Sequence, residues 1–248
     1  QEWLDEKQQL IALKRPAVSH LPFPVTVVKK QQQRDEITGN CLTQSFTWCE
    51  GVYDSNARKF GGFGCLKQTD SESATGDDAV GFSQPVQVRT YFLSALSMDR
   101  SRDFYFDGDK EAVALGKTLF SLSPADGEFD QPIEPHNDDT RYQIARALAG
   151  SVARVETYAL ADVDKPGAIP YAVQEMRYLV REIRRKDQYA SAVLLPMTLE
   201  TINYQYDRFM NDPLCSHEVN LRRNEFGSPP QALPLRYARR LAPTNTPP

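Results

Sequence analysis

The chain lacks the motifs that announce chemistry. It has no G-x-S-x-G elbow, no H-E-x-x-H, no S-x-x-K, no paired C-x-x-C and no Walker string. Histidine is scarce: His20, His136 and His217 are scattered, each beside proline or in a presumed loop. These absences lead us to expect no catalytic residue, no cofactor and no metal. The chain also lacks a basic excess. Its net charge is −4 and its pI about 5.5, whereas a phosphate-binding domain usually carries surplus Lys and Arg, so nucleic acid is not favoured. No apolar run approaches the ~20 residues that a bilayer-spanning helix needs.

Cysteine is sparse and badly spaced for zinc. Cys41, Cys49 and Cys65 form C-x7-C-x15-C, and Cys215 stands far off. In an oxidising compartment a disulfide between two of the first three is plausible, with Cys41–Cys65 or Cys49–Cys65 as the pairing. Otherwise all four are buried thiols. The chain opens on Gln1 rather than Met. Removal of a signal or simple trimming would account for this. The first reading predicts a periplasmic or extracellular protein.

What is present is ordinary globular composition: 248 residues, 40% hydrophobic and 25% charged. A chain of this size can bury roughly three-quarters of its unfolded surface without staples. Glu2 to Lys14 reads as an amphipathic helix ended by Pro16. Leu21 to Lys30 reads as an edge strand, because Pro22 and Pro24 cannot donate to a ladder. Lys29 to Glu36 reads as a loop and Cys41 to Cys49 as a second strand. Phe60-Gly61-Gly62-Phe63-Gly64-Cys65 lacks the Lys-Ser/Thr ending of a phosphate loop and reads as a kinked strand. Thr69 to Asp78 is an acidic loop. Val80 to Met98 carries the clearest alternation, with Val86, Val88, Thr90 and Phe92 on one side. Asp103, Asp107, Asp109 and Glu111 are close together but fail the EF-hand pattern, and Asp109 reads as the N-cap of a helix from Lys110 to Phe120. Ser121 to Asn137 is a long connection.

From Asp138 onward the spacing predicts three helices. Ile144, Leu148, Val152, Val155 and Ala159 form one stripe. Val173, Met176, Leu179, Val180 and Ile183 form a second, with Arg177, Arg181, Arg184 and Arg185 as its outer ridge. Leu199, Ile202, Tyr206, Phe209 and Met210 form a third after Pro196. Ser216 to Pro248 holds six prolines and five arginines against two glutamates, and reads as an extended arm.

These readings predict an α+β fold. A small, mostly antiparallel sheet packs against a C-terminal three-helix layer, with the arm beyond. The segments are 1–137, 138–215 and 216–248. An arm too poor in apolar residues to fold alone needs an outside grip, since ordering costs on the order of 1 kcal/mol per residue. The expected function is therefore a non-catalytic structural or scaffolding subunit of a multi-protein assembly, of the bacterial cell-envelope kind (secretion, conjugation or pilus). Its partners would be other protein subunits, in a homo- or hetero-oligomer. A virion capsid, tail or connector subunit is the first alternative. A secreted hydrolase, with a carboxylate site or with Cys49 or Cys65 meeting His136, is the second. Candidate partner contacts are Arg222, Arg223, Arg236, Tyr237, Arg239, Arg240, Arg177 and Arg181.

Overall fold

The computed structural model describes residues 8, 11–14, 21–73, 84–124, 129–162, 165–186, 191–207 and 209–241. Over these the chain is a strand protein. The main path runs β1 (Lys30–Arg34), β2 (Cys41–Asp54), β3 (Lys59–Ser73), β4 (Val86–Phe92), β7 (Val152–Asp162), β9 (Ala172–Arg184), β10 (Val193–Gln205), β11 (Leu214–Arg222) and β12 (Gln231–Arg236), each antiparallel to its neighbour. Between β4 and β7 the chain makes one long excursion. It contains β5 (Leu119–Leu122), β6 (Pro132–Ile133) and helix α1 (Asp138–Leu148). β5 lies parallel on β9, β6 pairs with β5, and β8 (Lys165–Pro166) pairs with β7.

The three-helix layer is not there. Its first member survives as α1, which buries Ile144, Ala145 and Leu148. Its cap is Asn137, whose side chain accepts from the Thr140 amide at 2.8 Å. Gly150, at φ 85°, ends it. Val152, Val155 and Ala159 belong to β7. The second and third stripes are β9 and β10. The reason is that β9 buries residues on both faces: Val173, Leu179 and Arg181 on one, Tyr178, Val180 and Glu182 on the other. When both faces are buried, apolar residues need not alternate, and a helical spacing can be drawn through them by chance. The β-branched and aromatic content of these stretches was the better guide.

Other readings shift less. The stretch 22–29 is not a strand, and β1 occupies the supposed loop that follows, held by β2. Of the N-terminal helix only Gln8 and Ile11 to Lys14 are described; Gln8, Ile11 and Ala12 are helical. Lys110 to Phe120 is a turn running into β5. The kinked glycine strand is present in β3, with Gly62 at φ 102° beside a register shift. The Pro/Arg-rich arm is the largest correction besides the helices, because its described part folds back as β11 and β12.

One row of directly opposed residues crosses the sheet: Cys49, Cys65, Tyr91, Arg154, Glu175, Ile202, His217 and Leu235. Opposed residues share a face. The next row reads Lys67, Arg89, Glu156, Val173, Tyr204 and Cys215. This face is covered by residues 98–118, here termed the strap. Its ends are tied by Thr118, whose amide donates to Asp99 at 2.8 Å and whose hydroxyl donates to the Met98 carbonyl at 3.0 Å. Phe106, Ala112 and Leu115 of the strap pack on Val173, Ile202, Tyr204, Tyr206 and Cys215. The opposite face packs on α1 through Ile144, Leu148, Ala153, Tyr178 and Val180, with Phe120 of β5.

Candidate functional site: a buried ionic clamp under the strap

Alternation puts Arg154 and Glu156 of β7 on the strap face, with Glu175 of β9 opposite Arg154. All three are buried. Arg154 donates from Nε to Glu156 Oε1 at 2.8 Å, from Nη1 to Glu175 Oε2 at 2.7 Å and from Nη2 to the Phe106 carbonyl at 3.1 Å. Glu156, fully buried, also accepts from the Phe106 amide at 2.8 Å and the Tyr158 hydroxyl at 2.8 Å. Glu175 takes a second guanidinium from the strap: Arg102 donates to both its oxygens at 2.7 and 2.9 Å. Tyr105 lies under Arg154 and packs on Tyr91, whose hydroxyl donates to the Phe104 carbonyl at 2.9 Å. Four strap residues, Arg102, Phe104, Tyr105 and Phe106, are thereby engaged through side chain or backbone.

The electrostatics match a clamp. Two arginines face two glutamates, so the group is neutral. Burial works against the charge on Arg154, but Glu156 and Glu175 outweigh it and hold the guanidinium above its ordinary value. Burial, with Glu156 beside them, pushes the Tyr91 and Tyr158 hydroxyls upward, and burial raises Tyr105 to about 12. All three tyrosines are neutral, Tyr91 and Tyr158 donate hydrogen bonds, and both carboxylates of the clamp are spoken for. The arrangement holds polypeptide in place and presents no base or nucleophile to a substrate.

The second half of the strap is held in the same manner. Val113 donates its amide to the Tyr204 hydroxyl at 2.8 Å, and the Tyr206 hydroxyl donates to Asp109 at 2.9 Å. Arg240 donates to both oxygens of Asp109 at 2.9 Å, which joins the C-terminal stretch to the strap. Burial works against ionised Asp109, but Arg240 and Tyr206 hold its carboxyl below the ordinary carboxylate value.

The candidate partner residues are therefore mostly turned inward. Arg181 is buried, donating to Asp130 at 2.8 and 2.7 Å and to the Asn224 carbonyl at 2.7 Å. Arg223 is buried and donates to the Thr198 carbonyl at 2.7 Å; burial, only partly offset by Asp130, lowers its proton affinity. Arg177 bonds the Lys117 carbonyl and Glu200. Tyr237 shares a 3.1 Å hydrogen bond with His217 Nδ1, and His217 Nε2 meets Glu200 at 2.9 Å. Arg239 pairs with Asp212 at 2.8 Å while half exposed, Arg222 is half-buried, and Arg236 is exposed. The disulfide expected among Cys41, Cys49 and Cys65 is not formed: all four cysteines are thiols, with Cys49, Cys65 and Cys215 buried and Cys41 half-buried. Among the described residues no group of three or more His, Cys, Asp or Glu is placed to hold a metal. His136 bonds Glu182 at 3.1 Å on the α1 side, so it is not brought to Cys49 or Cys65 under the strap. Two adjoining open cavities of about 380 and 330 Å³ lie beside α1, lined by Tyr142, Gln143, Arg146, His136 and Lys186 among others. Sequence reasoning missed Arg102, Arg154, Glu156 and Glu175. A charge on every second residue, Arg154-x-Glu156, was the available signal, and a helical reading of that stretch hid it.

Residues 4–91 match the family described as the insecticide toxin TcdB middle/N-terminal region. Residues 143–248 match the TcdB middle/C-terminal region. The chain is similar to the middle region of TcdB toxins. Solved TcdB structures carry the same architecture. Against TcdB2-TccC3 without its hypervariable C-terminal region, 98% of the chain superposes with a TM-score of 0.85 at 30% identity. For TcdB2-TccC3-TEV the values are 98%, 0.86 and 32%, and for the Photorhabdus luminescens Tc holotoxin pore 98%, 0.78 and 31%. The chain spans only 11% of the length of each of these TcdB chains. No curated protein matches it. The coarse expectation, a structural part of a multi-protein assembly with other protein subunits as partners, agrees with these TcdB relatives. A cell-envelope machine finds no support in them. Among the described residues no helix is long and apolar enough to cross a membrane.

Proposed function

We propose that this chain is a non-catalytic structural segment of a TcdB-type toxin component, one that works in complex with a TccC-type partner. The observation that carries the reading is the superposition of 98% of the chain on TcdB2-TccC3 with a TM-score of 0.85. The buried ionic clamp supports it, because its charges are spent on fixing the strap. Arg222 and Arg236 lie on the last two strands, half-buried and exposed respectively, and are the candidate contacts with other subunits. Carboxylate-bearing partners suit them, since a guanidinium binds a carboxylate through two parallel bonds.

A chimaera tests the proposal. The matching segment of TcdB2 is replaced by this chain, and the full-length protein is expressed with its TccC3 partner. A structural segment sharing the fold gives a complex that co-elutes at the native size and retains toxicity. A chimaera that assembles normally but is inactive would overturn the reading, because the segment would then hold residues that act rather than support.

A further inference from the structure

Cys49 and Cys65 stand directly opposite each other on β2 and β3, on the strap face, both almost fully buried. Directly opposed residues of an antiparallel pair have Cα atoms about 4.5–5.5 Å apart, inside the roughly 4.4–6.8 Å range that a disulfide spans. The two thiols are hydrogen-bonded to each other, and Lys67 and Arg100 lie close enough to favour the Cys65 thiolate. Arg100 also pairs with Glu50 at 2.5 Å and stacks over Tyr91, so its position beside the thiols is fixed. Phe104 and Tyr105 of the strap close over the pair.

We propose that Cys49 and Cys65 form a modification site, a cross-strand dithiol oxidised to a disulfide by a small peroxide. The favoured Cys65 thiolate attacks one peroxide oxygen, the O–O bond breaks, and Cys65 becomes a sulfenic acid as hydroxide leaves. The Cys49 sulfur then attacks the Cys65 sulfur, the S–O bond breaks, and water leaves with the Cys49 proton. Two thiols and one hydrogen peroxide give one disulfide and two waters. The bridge closes a loop of about 15 residues and so resists opening of the β2–β3 hairpin by on the order of 100-fold.

The test treats the native full-length protein with hydrogen peroxide, blocks remaining thiols with an alkylating reagent and maps the peptides by mass. The expected result is a Cys49–Cys65 linked peptide, with Cys41 and Cys215 alkylated after unfolding, and slowed hydrogen exchange across β2 and β3. In Cys49→Ser, Cys65 should stop at the sulfenic acid, which a dimedone probe traps. If the Cys49→Ser protein does not fold, the peptide map of the native protein decides alone. Four alkylatable thiols after peroxide, or a bridge between another pair, would overturn the proposal.

Discussion

Asp109 shows what a single buried carboxylate contributes. It accepts from Tyr206 and from both Nη atoms of Arg240. Its pKa in the folded chain lies below the ordinary value of 3.8. A depressed carboxylate stabilises the fold fully above the unfolded value and loses that contribution as pH falls through the folded one. The protein is therefore expected to lose stability as pH drops below about 4. Asp109→Asn should lower the midpoint of denaturant unfolding at pH 7 and flatten its decline on acidification. Unchanged acid sensitivity in Asp109→Asn would place the effect at other carboxylates.

Strands decide their neighbours by what their edges offer. The Tyr237 amide donates to the Cys215 carbonyl, which fixes the parity of β12. Residues 233 and 235 then turn their amides toward β11, while 232, 234 and 236 turn theirs outward. Pro234 sits in the outward set and removes the central donor of an otherwise exposed edge. Pro234→Thr should restore that donor and raise self-association, measurable by sedimentation at increasing concentration; an unchanged monomer would show that the edge is already covered. Such local chemistry explains which elements were legible. β2 and β4 were read correctly because alternation and β-branched residues coincide there. α1 was read only in part: Ile144 and Leu148 of its apolar stripe were placed correctly, but the reading ran on past Gly150, where the helix has ended. β9 was misread because burial on both faces erased its alternation, β10 because a bulge between Thr198 and Glu200 shifts the phase of its buried residues, and β1 because an exposed edge strand of Lys, Gln and Arg needs none. β11 and β12 were lost in the arm because their few apolar residues are supplemented by hydrogen bonds to other parts of the chain, which no local window contains.

On the scale of the whole molecule, a broad, mainly antiparallel sheet, with β5 joined to it beside β9, is covered on one face by α1 and on the other by the strap. The strap is long, polar and poor in secondary structure, so its order depends on the clamp and on Asp109–Arg240. This reverses the expectation of an outside grip on the C-terminal stretch, since Arg239, Arg240 and Leu241 are tied to Asp212 and Asp109 of the same chain. It also explains why Arg177 and Arg181, expected as partner contacts, are internal fasteners. A charge left alone at such a site costs about 3–5 kcal/mol. Under the proposed function, the most direct measurement compares Glu156→Ala and Glu175→Ala with wild type in the full-length protein, scoring both the amount of assembled complex and the toxicity per assembled complex. The account predicts less complex, with toxicity per complex unchanged. Normal assembly with toxicity abolished would contradict it, since the clamp would then be part of an active site.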